Sequence, residues 1–280
     1  MKIREMMQMS DILRNPNTSE LIYAIEHNIY EWVKAIQNLE NIEYEEKDEF
    51  IKFYSGIPFP MANGVLNTNI PSEIAEEKIN EIVSFFEERK MPFVWFTGPS
   101  SHPHNLKELL INSKLISVVN DPGMAYNLND LTNNTESIPN LKIVEVENTE
   151  IAKLWTDVCL TVAEWPKKLV FDFMVNVLVS TCLNVNSPHK AFVAYFNGIP
   201  VGTSYVFYGA GVAGIYNVFT LKEARNKGIG TAVSVEPLHQ AKKLGYEVAI
   251  LQSSEMGLNM YKNIGFKEYC KLEVFMWSPG

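Results

Sequence analysis

Long apolar runs are missing from this chain of 280 residues. No stretch approaches the ~20 apolar residues that a membrane-spanning helix needs. The opening MKIREMMQMSD lacks the apolar centre of a secretory signal. Cysteine is scarce: Cys159, Cys182 and Cys270 are odd in number and lack metal-ligand spacing, which suits a reducing compartment. Excess positive charge is absent as well. Lys and Arg number 24 against 33 Asp and Glu, a formal net charge of −9, so the broad basic face of a nucleic-acid binder is not there. A Walker A sequence does not occur. His102 and His104 in "SHPH" have no partnering Cys or acid pattern, and no metal is expected there. The expectation is a cytoplasmic monomer or homodimer without nucleic-acid or membrane partners.

What is there is globular. Hydrophobic residues make up 46% and charged residues 20%, a folding composition. The least structured stretch is "NDLTNNTESIPN", residues 129–140, which has linker composition. It divides the chain into two halves of ordinary domain size, expected as residues 1–130 and 140–280.

In the second half, residues 151–162 and 167–181 read as helices. "AFVAYF" and "VGTSYVFY" read as strands joined across an Asn-Gly turn, followed by the strand "GIYNVFT". Residues 228–244 form an apolar-periodic helix, with a bend or break expected at Pro237. "EVAILQSS" is a strand, Ser254 an N-cap, Glu255 to Ile264 a short helix ended by Gly265, and "FKEYCKLEVFMW" a last strand. The first half repeats the late order. "NGVLNT" is a strand, Ser72 caps a helix to about Arg89, and "MPFVWFTG" is a strand. Residues 105–112 are a short helix, and "LISVV" and "GMAYNL" are strands. The repeated order points to a tandem α+β domain.

Two glycine motifs compete for a ligand. "GAGVAG", residues 209–214, matches a dinucleotide fingerprint, but β-branched and aromatic residues follow where a helix is required. It reads as a hairpin. "RNKGIG", residues 225–230, has a strand before it and a helix after it. A helix N-terminus offers unpaired N–H groups and a positive dipole end. Gly228 and Gly230 clear the backbone for a ligand, and Arg225 and Lys227 add charge to a site suited to phosphate.

This R-x-x-G-x-G, joined to "NMYKNIGF" further on, resembles the GNAT superfamily of N-acyltransferases. The resemblance covers residues 191–277 in order and spacing. It implies a mixed α+β fold of tandem GNAT-like domains, each a twisted, mostly antiparallel sheet flanked by helices. It also implies acetyl-CoA as acyl donor and an amine as acceptor. Backbone amides of Asn226, Lys227, Gly228, Ile229, Gly230 and Thr231 would cradle the pyrophosphate, with Arg225 beside them. Val218, Phe219 and Thr220 would lend backbone to the pantetheine arm, in a gap where this strand and "AILQSS" splay apart. An N–H of Val218 or Phe219 would polarise the thioester carbonyl. Tyr261 would be the general acid for the departing sulfur.

Glu164 in "AEWP" is the candidate base, with Asp172 in the same region. Trp165, Phe171 and Tyr216 are candidate pocket walls. Ser253 and Ser254 stand where many members carry an Asn on the pantetheine, and Ser254 is assigned to that contact. The alternative reading is a non-catalytic acyl-CoA-binding or sensing protein. In the first half the corresponding loop, "NTNIPSEIAEEK", has no R-x-x-G-x-G, and Leu110 stands in for Tyr261. That half is expected to be a degenerate domain without a cofactor site.

Overall fold

The computed structural model describes residues 12–132, 137–184 and 186–279. The middle of the expected linker and the opening stretch lie outside the described residues. In chain order the elements are α1 (Thr18–Ala35), β1 (Glu43–Glu46), β2 (Ile51–Tyr54), β3 (Gly64–Leu66), α2 (Ala75–Glu88), β4 (Phe93–Thr97), α3 (Leu106–Asn112) and β5 (Ile116–Asn127). They continue with β6 (Leu141–Glu145), α4 (Thr149–Ala163), α5 (Lys167–Cys182), β7 (His189–Phe196), β8 (Ile199–Gly209) and β9 (Val212–Thr220). Last come α6 (Ile229–Leu244), β10 (Val248–Gln252), α7 (Leu258–Ile264) and β11 (Lys267–Trp277). The fold is mixed α+β. Among the described residues β3 pairs with β4 and β9 with β10 in parallel, while β1–β2, β2–β3, β4–β11, β6–β7, β7–β8 and β8–β9 are antiparallel.

Two compact units form, and neither is a continuous half. One joins Met1–Asn28 to Met124–Glu268; the other joins Ile29–Gly123 to Tyr269–Gly280. The expected division at residues 130–140 therefore does not coincide with the units. Each takes a piece from the far end of the chain, because strand pairing and helix packing are set by complementary surfaces, not by linker composition.

In the first unit the strand order is β5-β10-β9-β8-β7-β6. The β7–β8 turn has Asn197 and Gly198 at φ 52° and 81°, and the β8–β9 turn has Ala210 and Gly211 at 49° and 72°. Two successive positive φ values match the twist of a two-residue hairpin, so "GAGVAG" is a hairpin turn. Val206, Tyr208, Ala213 and Ile215 pack on one sheet face against Val235, Leu238 and Ala241 of α6. On the other face Trp155 of α4 donates from Nε1 to the Ser204 carbonyl at 3.0 Å and meets Tyr205 edge to face.

In the second unit the order is β1-β2-β3-β4-β11-β5. Ile79, Ile82 and Phe86 of α2 pack with Phe93, Trp95, Phe275 and Trp277. Phe86 and Phe93 stack with ring centroids 4.1 Å apart, and Trp95 Nε1 donates to Thr68 Oγ1 at 2.8 Å.

Several expected boundaries change. α6 runs unbroken through Pro237. Proline costs one backbone bond, but Val233, Val235, Leu238 and Ala241 are buried around it, so tertiary packing carries the helix. Ser72 is not the N-cap of α2; a turn from Pro71 to Ile74 puts it outside the helix, and Ile74 is the cap residue. α7 starts at Leu258, because Ser254 instead accepts at its carbonyl from Gly257 and Leu258. "LISVV" and "GMAYNL" are one twelve-residue strand. α1, β1, β2 and β6 were not expected.

Candidate active site

The loop from β9 to α6 is built by three backbone choices. Asn226 at φ 59° and Gly228 at φ 75° turn the chain, and Gly228 becomes the N-cap of α6. No side chain caps this helix end. The helix opens with the bond from Ala232 N–H to the Gly228 carbonyl at 3.0 Å. The N–H groups before Ala232 are those that a helix cannot satisfy internally. Asn226, Lys227, Gly228 and Thr231 are exposed there, while Ile229 is buried and pins the helix start to the core. A Cβ on Gly230 would meet Met260 Sδ at 3.3 Å and Thr220 Oγ1 at 3.4 Å.

The two basic residues fold back on the loop itself. Arg225 Nε donates to the Thr220 carbonyl at 3.1 Å. Lys227 Nζ donates to the Glu223 carbonyl at 2.8 Å and sits 5.3 Å from the Phe196 ring centre. These contacts are to carbonyls and a ring, and among the described residues no carboxylate pairs with either positive charge beside the exposed amides.

β9 carries a bulge just before the loop. Its register with β8 passes from Tyr205↔Tyr216 to Thr203↔Phe219, which places an extra residue in β9, and Asn217 has φ 48°. A bulge leaves that residue out of the ladder. Thr203 Oγ1 holds the distortion by donating to the Asn217 carbonyl at 2.9 Å. On its other side β9 pairs with β10 at Ala249↔Ala213 and Ile250↔Gly214. Past Gly214 no register with β10 is found among the described residues, so Val218, Phe219 and Thr220 border an opening between the strands.

Tyr261 lies on α7, buried in the same core as α6, with its ring edge to face on Phe266 at 5.7 Å. Burial pushes its phenol up to about 12, while a hydrogen bond with Ser234 pulls it down. Ser234 donates in turn to the Gly230 carbonyl at 2.8 Å. The candidate acid is thus tied through one hydroxyl to the first turn of the candidate cradle. Ser254 is exposed at the turn that leads into α7.

The carboxylates are placed differently. Glu164 is exposed at the C-cap of α4 with φ 55°, in the short connection to α5. Asp172 is exposed on α5. Both belong to the α4–α5 layer, on the sheet face opposite α6, and among the described residues neither bonds to Tyr261 or the loop. Trp165 and Phe171 are partly buried in that layer.

Sequence reasoning missed one participant, Asn28. It is fully buried on α1, donates from Nδ2 to the Gly209 carbonyl at 2.7 Å and accepts at Oδ1 from the Tyr216 hydroxyl at 2.6 Å. The helix had a legible signal. Asn17 and Glu20 bond reciprocally, side chain to backbone N–H, at 3.0 and 2.8 Å, the arrangement of a capping box. Leu21, Ala24, Ile25 and Asn28 then share one buried face.

In the other unit, α2 has Glu76 and Glu77 in its first turn. Carboxylates there complement the dipole and oppose an anion. Leu110 is fully buried on α3.

Residues 187–268 match the model of the acetyltransferase (GNAT) domain. No curated protein matches the sequence. Among solved structures, a GCN5-related N-acetyltransferase from Kribbella flavida is 14% identical, with 92% of this chain and 96% of that chain covered and a TM-score of 0.69. A GCN5-related N-acetyltransferase from Sphaerobacter thermophilus is also 14% identical, with coverages of 95% and 96% and a TM-score of 0.62. A tandem GNAT protein from the clavulanic acid biosynthesis pathway is 12% identical, with coverages of 82% and 78% and a TM-score of 0.57. At such identities these likenesses speak for fold. The chain has the tandem GNAT fold, and within it residues 187–268 match the GNAT domain model.

Proposed function

We propose that this protein is an acyl-CoA-dependent N-acyltransferase that moves acetyl from acetyl-CoA to an amine of a small molecule or peptide by direct attack. The observation that carries this reading is the uncapped start of α6, with two cations beside it, next to a bulged strand end. Acetyl-CoA supplies the acyl group as a thioester, and the acceptor's neutral amine displaces its thiol. The amides of Asn226 to Thr231 hold the pyrophosphate, where dipole and N–H groups both favour an anion. The backbone of Val218 to Thr220 aligns the pantetheine arm, and a bulge N–H faces the carbonyl oxygen as charge develops there.

Tyr261 stays protonated at neutral pH because its phenol titrates near 12. It holds the proton that the departing sulfur receives. An alkyl amine has a pKa of about 10.4, so its proton must leave through a base, and Glu164 at the mouth of the α4–α5 connection is the candidate. Ser254 borders the pantetheine side. The N-terminal unit, with carboxylates at its corresponding helix start, has no acyl-CoA site in this reading. The test is an amine-library screen with acetyl-CoA that detects released thiol. Transfer to at least one amine class supports the reading; binding of acetyl-CoA with no transfer to any class favours a sensing role.

A further inference from the structure

One turn of α1 closes the inner end of the opening between β9 and β10. Past the pair Ile250↔Gly214, each strand is tied to that turn. The Tyr216 hydroxyl of β9 donates to Asn28 Oδ1 at 2.6 Å, and Gln252 Nε2 of β10 makes a long 3.5 Å contact to the Ile25 carbonyl. Ile25 and Asn28 are one helical turn apart on one face, and both are fully buried. Asn28 is itself anchored by its 2.7 Å bond to the Gly209 carbonyl. The Tyr216 ring lies across Gly214: a Cβ there would come 2.7 Å from Tyr216 Cε2. Tyr216 as a residue is half-buried, and Asn28 braces its hydroxyl. It is one residue from the bulge that the proposed function places at the thioester.

We infer, on the basis of that proposed function, that Tyr216 held by Asn28 is a specificity-determining residue that restricts the acyl donor to acetyl and similarly short groups. An acyl chain extends inward from the thioester, toward the place where β9 and β10 converge. There it meets a ring whose hydroxyl is bonded to a fully buried amide, and the ring cannot swing aside without taking the donor from Asn28 Oδ1. An open apolar channel would have the opposite effect, because each added buried methylene would strengthen binding about fourfold. The sign of the chain-length dependence is therefore diagnostic.

The experiment is calorimetric titration of the full chain with coenzyme A, acetyl-CoA and hexanoyl-CoA. Wild type should bind the first two comparably and hexanoyl-CoA at least about tenfold more weakly. Tyr216→Phe, which keeps the ring but frees it from Asn28, should lose part of this discrimination. Tyr216→Ala should bring hexanoyl-CoA to the affinity of acetyl-CoA or beyond it. Wild type that binds hexanoyl-CoA as tightly as acetyl-CoA overturns the inference, and it decides the matter even if Tyr216→Ala does not fold. A folded Tyr216→Ala that keeps the full discrimination overturns it too. Failure of wild type to bind either coenzyme A or acetyl-CoA brings down the proposed function together with this inference, whereas loss of discrimination alone leaves the donor site standing.

Discussion

Gly214 and Asn28 compete for one volume: a Cβ on Gly214 would stand 2.0 Å from Asn28 Oδ1. The strand carries glycine there because the helix brings an amide against its backbone. Gly214→Ala should destabilise the fold, since the obstacle is a buried, doubly bonded side chain that cannot yield. Asn28→Ala should cost ~1–3 kcal/mol for each buried partner left without a bond, the Tyr216 hydroxyl and the Gly209 carbonyl. In the Asn28→Ala background, Gly214→Ala should cost clearly less than in wild type. Urea unfolding of the four proteins measures the coupling. Strictly additive costs would show that the two positions do not interact.

Acetyl-CoA should raise the thermal midpoint by mass action, because only the folded chain offers the cradle. Replacing Gly228 and Gly230 with valine should abolish the shift. Gly228 sits at φ 75°, and a Cβ on Gly230 would crowd Met260 and Thr220. Each variant is compared with its own unliganded midpoint. A full-size shift in the double variant would place the cradle elsewhere.

Tyr261→Phe deletes one hydroxyl and keeps the ring in its core. Turnover should fall by about 10²-fold, the low end for acid–base roles because thiolate is a good leaving group, with little change in acetyl-CoA affinity. Unchanged turnover, with chemistry shown to be rate-limiting, would remove Tyr261 from the mechanism.

His189 should make stability depend on pH. It is buried, its Nδ1 lies 2.5 Å from the Tyr205 hydroxyl, and burial lowers its pKa from 6.5 to about 4. Below pH 6.5 the unfolded chain takes up a proton that the folded chain refuses. Stability is therefore complete above that pH and is lost as pH falls toward 4, by roughly 3 kcal/mol in all. Unfolding free energies from pH 7 to 5 should decline more steeply for wild type than for His189→Gln. Parallel slopes would assign the loss to other groups.

Each chain should bind one acyl-CoA. The start of α2 presents Glu76 and Glu77, and Leu110, the residue that the sequence repeat sets against Tyr261, is fully buried. Calorimetry with coenzyme A should give a stoichiometry near one. A value near two, with one site surviving the Gly228 and Gly230 substitutions, would refute the assignment.

Local chemistry made much of this protein legible in its sequence. Asn197-Gly198 in one hairpin and Gly211 in the other set the turns, because positive φ suits Asn and Gly and few other residues. β-branched and aromatic runs gave β7 to β11, and apolar spacing gave α2 to α7 within a few residues. The R-x-x-G-x-G segment announced a helix start without a side-chain cap, since that property belongs to the backbone of six adjacent residues. Pairings between distant segments could not be read in this way. That Met1–Asn28 joins the C-terminal unit, and Tyr269–Gly280 the N-terminal one, depends on which surfaces complement each other in three dimensions. The bulge at Asn217 arises from a register between two strands, and Asn28 gains meaning only when α1 lies against β8 and β9. Its amide then meets a carbonyl and a phenol 181 and 188 residues away along the chain, a distance over which sequence spacing carries no signal.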